Sequence, residues 1–263
     1  MKDADQGTVH QQVDGAVLTA TLDAFAWRNS MGAPGVREAL NAAQQRFEAD
    51  ESLRVMVLTG ANGVFSAGGN LDQLREIRDE AQMLERLQRG APFLATMLKS
   101  GKLYVAAIEG PAFGAALGVA MGCDLVVAAE GARFCAAQVR VGASPDGGLF
   151  WTLPLRVGVA RARRILLTGE EVDLASAHAM GMVDQVSAKG GALADAQKLA
   201  LRLSKGPPLP QATIKAFFAD YPTSLEGVLE LERRTAARNF VSEDFLEGAS
   251  AFLEKRKAQF RGR

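Results

Sequence analysis

The chain reads as an α/β protein, a mostly parallel sheet followed by a helical region, and three observations predict this. Continuous apolar runs at Leu53–Thr59, Leu103–Ile108 and Asp124–Ala129 have the length and β-branching of buried strands. Short helical segments alternate with them and glycine-rich turns follow strands, the pattern from which parallel α/β sheets are built. Beyond about residue 156 strand signals almost cease, and helical spacing continues towards the C-terminus.

Taken in order, Val9–Val13 and Ala16–Leu22 flank Asp14-Gly15 and predict a β-hairpin with a type I′ turn. Pro34, Val36, Leu40, Ala43 and Phe47 follow helical spacing, with the proline in the first turn. The small-residue stretch Ala112–Gly122 separates the second and third apolar runs, and its glycine-rich loop opens a helix. Val157–Leu167 is helical, and Asp173 caps a helix over Leu174–Met180 that stops at Gly181. Met182–Val186 predicts one last strand. Helices then follow over Leu193–Leu203, Gln211–Ala219, Leu225–Arg238 and Phe245–Lys257, with Thr223 and Glu226 as a capping box for the third. Gly206-Pro207-Pro208 divides a core, residues 1–205, from a C-terminal helical region, residues 206–263.

Composition narrows the function. The 263 residues are 48% hydrophobic and 23% charged, an ordinary globular balance, and long enough to bury a core without staples. Thirty basic residues match thirty acidic ones, so the overall basic field of a nucleic-acid binder is missing. Cys123 and Cys135 form no CxxC pair, and His10 and His178 lie far apart, which leaves no metal site to expect. The start is polar, with Asp3 and Asp5, unlike a signal peptide. The longest uncharged run, between Glu109 and Asp124, is shorter than the ~20 residues of a membrane helix. The expected setting is the cytoplasm, without a membrane or nucleic-acid partner.

Three loops are candidates for chemistry. Phe65-Ser66-Ala67-Gly68-Gly69-Asn70 and Gly110-Pro111-Ala112-Phe113-Gly114-Ala115-Ala116-Leu117-Gly118 each follow a strand and open a helix, yet neither has the spacing of a phosphate loop. They are either tight turns for close helix–strand packing or two sets of backbone N–H groups that stabilise a developing negative charge. Ser144-Pro145-Asp146-Gly147-Gly148 offers either a helix N-cap at Asp146 or a carboxylate on a rigid turn, serving as base or nucleophile. Leu84, Leu87, Leu94 and Met97 are either a pocket wall or a buried helical stripe. No spacing brings a histidine to a particular serine.

Together the segments Val55–Leu71, Val105–Leu125, Phe134–Pro154, Ile165–Val186 and Glu247–Phe260 resemble the crotonase, or enoyl-CoA hydratase/isomerase, superfamily. The resemblance implies a spiral of ββα units, a C-terminal helical region that packs homotrimers or hexamers, and an acyl-CoA thioester substrate with no separate cofactor. By residue it implies an oxyanion hole formed by the N–H groups of Gly69 and Ala115. Contacts to coenzyme A are implied for Arg28, Ala67, Phe252 and Lys255, the last two sometimes across a subunit boundary.

Two departures shape the expected reaction. The positions of the two glutamates that hold water in family hydratases carry Gly118 and Gln138, and neither can exchange a proton. Glu109 matches a loop position with a structural role. Asp146 matches the single catalytic aspartate of the ring-1,2-epoxyphenylacetyl-CoA isomerase and enoyl-CoA isomerase branch. The chain is therefore expected to be an acyl-CoA isomerase acting through a thioester enolate. An atypical hydratase and a non-catalytic acyl-CoA-binding scaffold are the alternatives.

Overall fold

The computed structural model describes residues 6–220 and 224–263. It begins with β1 (Thr8–Asp14), β2 (Val17–Asp23), α1 (Val36–Ala49) and β3 (Val55–Gly60). Three short helices, α2 (Leu71–Glu76), α3 (Glu80–Gln88) and α4 (Ala91–Lys99), lead to β4 (Leu103–Ile108). Then come β5 (Pro111–Phe113), α5 (Ala115–Gly122), β6 (Leu125–Ala129), β7 (Arg133–Cys135), α6 (Leu149–Val157) and α7 (Val159–Thr168). β8 (Glu171–Asp173), α8 (Leu174–Ala179), β9 (Gln185–Ser187) and α9 (Ala192–Leu203) precede α10 (Pro208–Ala219), α11 (Leu225–Phe240) and α12 (Glu243–Leu253).

The main sheet has the order β1-β2-β3-β4-β6-β9, parallel throughout except for the β1–β2 hairpin. Its inner strands β3, β4 and β6 are apolar on both faces because both are covered, as parallel strands require. Val55, Val57, Val105, Ala107, Val127 and Ala129 face Ala192, Ala196, Leu199 and Ala200 of α9. The alternate residues Met56, Leu58, Ala106, Ile108, Val126 and Ala128 enter the larger core with α1 and α5. The small side chains of α9 let its backbone lie close to the sheet.

Sequence and structure part at several places. The hairpin loop is Gly15-Ala16, and only Gly15 has positive φ (55°), so the type I′ turn, which needs both central residues there, is replaced by the II′ pattern. Pro34 lies ahead of α1, whose N-cap is Gly35. Thr223 falls outside the described residues, and Ser224 caps α11 by accepting from the Gly227 N–H. The last helix runs Glu243–Leu253 and has ended before Lys255, whose φ is 56°. A second sheet, β5-β7-β8, has no counterpart in the sequence reading. Its strands are three residues each, too short to show a periodicity.

Three carboxylates, with Lys215 and Arg256, hold the C-terminal helices and the tail that follows them. Lys215 of α10 is buried, and its Nζ donates to Asp124 Oδ2 at 2.9 Å and to the Lys102 carbonyl at 2.7 Å. Asp244, buried on α12, accepts from the N–H groups of Arg261 (2.6 Å) and Gly262 (2.7 Å). Glu247 takes a two-pronged contact from Arg256, at 2.6 and 2.9 Å, and holds the Gln259 N–H at 2.9 Å. No described helix is long and apolar enough to cross a membrane.

Candidate active site

The two glycine-rich loops are zipped together by their own backbones. Phe65 and Ser66 donate to the carbonyls of Glu109 (2.8 Å) and Pro111 (3.0 Å), and Phe113 donates to Ser66 (3.1 Å). Gly68, at φ 85°, packs so closely on Phe113 and Gly114 that any Cβ there would overlap the Phe113 carbonyl. This approach is why the first loop needs glycine.

The same contacts aim the peptide groups. The Gly68 carbonyl accepts from Ser30 Oγ at 2.7 Å and from the Met31 N–H at 3.1 Å. In a trans peptide the next N–H points the opposite way, so the Gly69 N–H turns towards the cavity beside it. The Gly114 carbonyl accepts from Leu117 and Gly118 inside α5, which turns the Ala115 N–H out of the helix N-terminus, where the dipole is positive. Neither N–H has an acceptor among the described residues. The pair is available to one oxygen of a ligand.

Asp146 sits against this helix terminus. A Cβ on Gly147 would lie 2.7 Å from the Ala115 Cα, and a Cβ on Gly118 would lie 2.7 Å from the Gly147 carbonyl carbon. The glycine at 118 is thus a packing requirement, and the Gly147 backbone occupies the space a longer side chain would take. Asp146 does not cap α6, whose N-cap is Gly148 at φ 79°. Its carboxylate accepts instead from Gln138 Nε2, 2.7 Å from Oδ1, and Oδ2 has no partner among the described residues. Gln138 Oε1 is buried without a hydrogen bond. The two positions that depart from the hydratase pattern therefore both touch the turn that carries Asp146.

Gly69, Ala115 and Asp146 line one cavity of about 660 Å³. Leu87 and Leu94 belong to its wall, whereas Met97 is buried in the core and Leu84 is exposed. That splits the α3–α4 apolar set between pocket and packing. Trp151 of α6 and Ala219 and Asp220 at the end of α10 close the other side. The sequence reading did not single out Arg37 and Arg86, which also line the cavity. Arginines on exposed helix faces are common, and only the tertiary approach of Arg37 to the Arg86 carbonyl at 2.8 Å distinguishes these.

The remaining candidates lie elsewhere. Arg28 is exposed, and its carbonyl accepts from the Ala67 N–H at 3.0 Å, so these two residues are neighbours outside the cavity lining. Asn29 next to it is buried and donates to the carbonyls of Ala61 (2.9 Å) and Val64 (2.6 Å) while accepting from the Ala24 N–H. Phe252 is 84% exposed, and neither it nor Lys255 reaches the cavity in a single chain. Glu109 holds the N–H groups of Gly190 (3.2 Å) and Ala192 (3.0 Å), a structural tie. His10 pairs with Asp23 at 2.9 Å and His178 Nδ1 meets the Val183 carbonyl at 3.0 Å. Burial pushes the Cys123 thiol up to about 12 and raises Cys135 as well, so both behave as core residues.

The enoyl-CoA hydratase/isomerase family model matches residues 12–263, and the chain belongs to that family. It is 35% identical over 261 residues to 1,2-epoxyphenylacetyl-CoA isomerase of Escherichia coli (strain K12), covering 95% of this chain and 97% of the relative. Its fold matches the crystal structure of an enoyl-CoA hydratase from Polaromonas sp. JS666 with a TM-score of 0.91 and 34% identity, over 97% and 100% of the two chains. An enoyl-CoA hydratase/isomerase from Cupriavidus metallidurans CH34 matches with a TM-score of 0.88 and 31% identity, over 97% and 96%. The α/β architecture is therefore that of the crotonase fold.

Proposed function

We propose that the protein is an acyl-CoA isomerase that works through a thioester enolate with Asp146 as its single base. The observation that carries this reading is the meeting of the Gly69 and Ala115 N–H groups with one carboxylate in one cavity, where the hydratase glutamate positions hold Gly118 and Gln138. The substrate's thioester oxygen lies between the two N–H groups, an oxyanion hole. Asp146 Oδ2 takes a proton from the α- or γ-carbon, and the electron pair of that C–H bond moves into the enolate. The proton returns to a different carbon, so the double bond moves with no net change in atoms or oxidation state. The reading needs no cofactor besides the coenzyme A of the substrate.

Isomerase and hydratase names both occur among the relatives, and the buried, unpartnered Gln138 Oε1 suits a bound water, which favours an atypical hydratase as the second reading. Incubation with 2-enoyl- and 3-enoyl-CoA thioesters separates the two. Interconversion of these isomers at constant mass is the expected result. A product heavier by one water supports the second reading, and binding without either reaction supports a scaffold.

The assembly proposed is a homotrimer or a pair of trimers, built through residues 206–263. Phe218, Leu225, Phe240, Leu246 and Leu253 are apolar and exposed on α10–α12, an unusual density for a surface left to water. In such an assembly Phe252 and Lys255 reach a neighbouring subunit's coenzyme A, while Arg28 and Ala67 serve the subunit's own.

A further inference from the structure

Two guanidinium groups bound the cavity that holds Asp146: Arg37 on α1 and Arg86 on α3. Their hydrogen bonds go to neutral acceptors. Arg37 Nη1 donates to the Arg86 carbonyl at 2.8 Å, and Arg86 Nη2 donates to Gln73 Oε1 at 3.1 Å. Among the described residues Arg89 pairs with Glu85, but neither Arg37 nor Arg86 has an ion-pair partner. Glu38 and Arg89 line an adjoining recess of about 490 Å³ that shares Gly32, Arg37 and Arg86 with the cavity.

Burial lowers the Arg37 pKa most and the positive charge of Arg86 lowers it further; Glu38 acts in the opposite direction, and Arg89 lowers it least. Partly desolvated like charges without a carboxylate in direct contact are unfavourable until an anion joins them. The planar forks of two arginines suit a carboxylate or phosphate better than any other ligand group.

Position selects between those two anions. Arg86 Nη2 is 2.7 Å from the point where Gly32 would carry a Cβ, and the Asn70 main-chain nitrogen is 3.7 Å from the same point. The guanidinium therefore stands beside the residue that follows Gly69. The wall around it is apolar, with Leu40, Leu74, Leu87, Phe93 and Leu94. Lys99, Asp146 and Asp220 are the other ionisable residues of the lining. In coenzyme A an extended pantetheine arm carries the phosphates more than a dozen bonds away from the thioester. A carboxylate on the acyl side is the anion that an apolar stem brings to this place.

On the acyl-CoA reading given above, we propose that the acyl group ends in a carboxylate, an enoyl thioester of a dicarboxylic acid, and that Arg37 and Arg86 bind that end. The apolar wall takes the methylene stem, and the two arginines discriminate against a methyl terminus by being left without an anion.

Calorimetry with two saturated thioesters of equal chain length, one methyl-ended and one carboxylate-ended, tests this in wild type, Arg37→Met and Arg37→Lys. The coenzyme is common to both ligands, so the ratio of their Kd values reads the tail alone. Wild type is expected to bind the carboxylate-ended ligand about ten-fold or more tightly, Arg37→Met to lose most of that ratio, and Arg37→Lys to keep part of it. Arg86→Met repeats the comparison from the second guanidinium, so one misfolded variant does not decide the outcome. Equal Kd values in wild type overturn the proposal, as does a variant that weakens both ligands alike. In the latter case a 3′-dephospho thioester shows whether the arginines serve the coenzyme instead. Saturated thioesters bypass the isomerisation step, so a failure here is distinct from a failure of the enolate mechanism. Binding of neither thioester overturns both readings together.

Discussion

Asn29 and Gln138 are polar side chains whose work is to hold other groups still. Asn29 satisfies one backbone donor and two backbone acceptors from a left-handed conformation (φ 55°), which asparagine adopts more readily than alanine. Asn29→Ala should therefore destabilise the fold by roughly 2–4 kcal/mol, through unpaired buried groups and backbone strain; a thermal melt reads this as a drop of several degrees. Gln138 fixes Asp146 through a single hydrogen bond of 2.7 Å. Gln138→Leu should lower kcat about ten-fold with KM little changed, because the carboxylate loses its orientation while the thioester contacts remain. An equal loss in KM would place Gln138 in binding instead.

At the scale of elements, the fit between α5 and the Asp146 turn explains a glycine that looks like a missing catalytic residue. Gly118→Ala places a Cβ against the Gly147 carbonyl and should cost about 1–3 kcal/mol by overpacking. Gly118→Glu should give no hydration, since the turn that carries Asp146 must move to admit it; a gain of hydratase activity would contradict the packing argument. The C-terminal clamp makes a pH prediction. The Arg256 guanidinium, with help from the Gln259 N–H, lowers the Glu247 pKa to about 2 from an ordinary 4.5. The folded value is depressed, so the clamp's contribution is complete above about pH 4.5 and is lost as pH falls through about 2. The Gln259 amide resonance should titrate near the lower value in wild type and lose that transition in Glu247→Gln.

Across the whole molecule, the long elements were legible because burial on both faces writes continuous apolar runs: β4 falls on Leu103–Ile108, as read, and α1 buries Val36, Leu40, Ala43 and Phe47, as spaced. The β5-β7-β8 sheet was not legible, since its pairing is a matter of long-range register between three-residue strands. At the site, local sequence left Asp146 open as a helix cap, and only the fold shows Gly148 in that place. Family resemblance singled out Gly69, Ala115 and Asp146, and the cavity brings these three together. Arg37 and Arg86 escaped because cavity position is a tertiary property. The apolar faces of α10–α12 belong to this scale too: sedimentation at micromolar concentration should find a trimer or hexamer, and a stable monomer would contradict that assembly.

On the proposed mechanism Asp146 moves a proton on an enolate held by Gly69 and Ala115. Proton exchange from deuterated water into enoyl- and phenylacetyl-type CoA thioesters, read by mass spectrometry for wild type and Asp146→Asn, tests this step. Deuterium is expected in the acyl group with wild type and none with the variant, while both bind the thioester. Equal exchange by both proteins, or none by a wild type that binds, would contradict it.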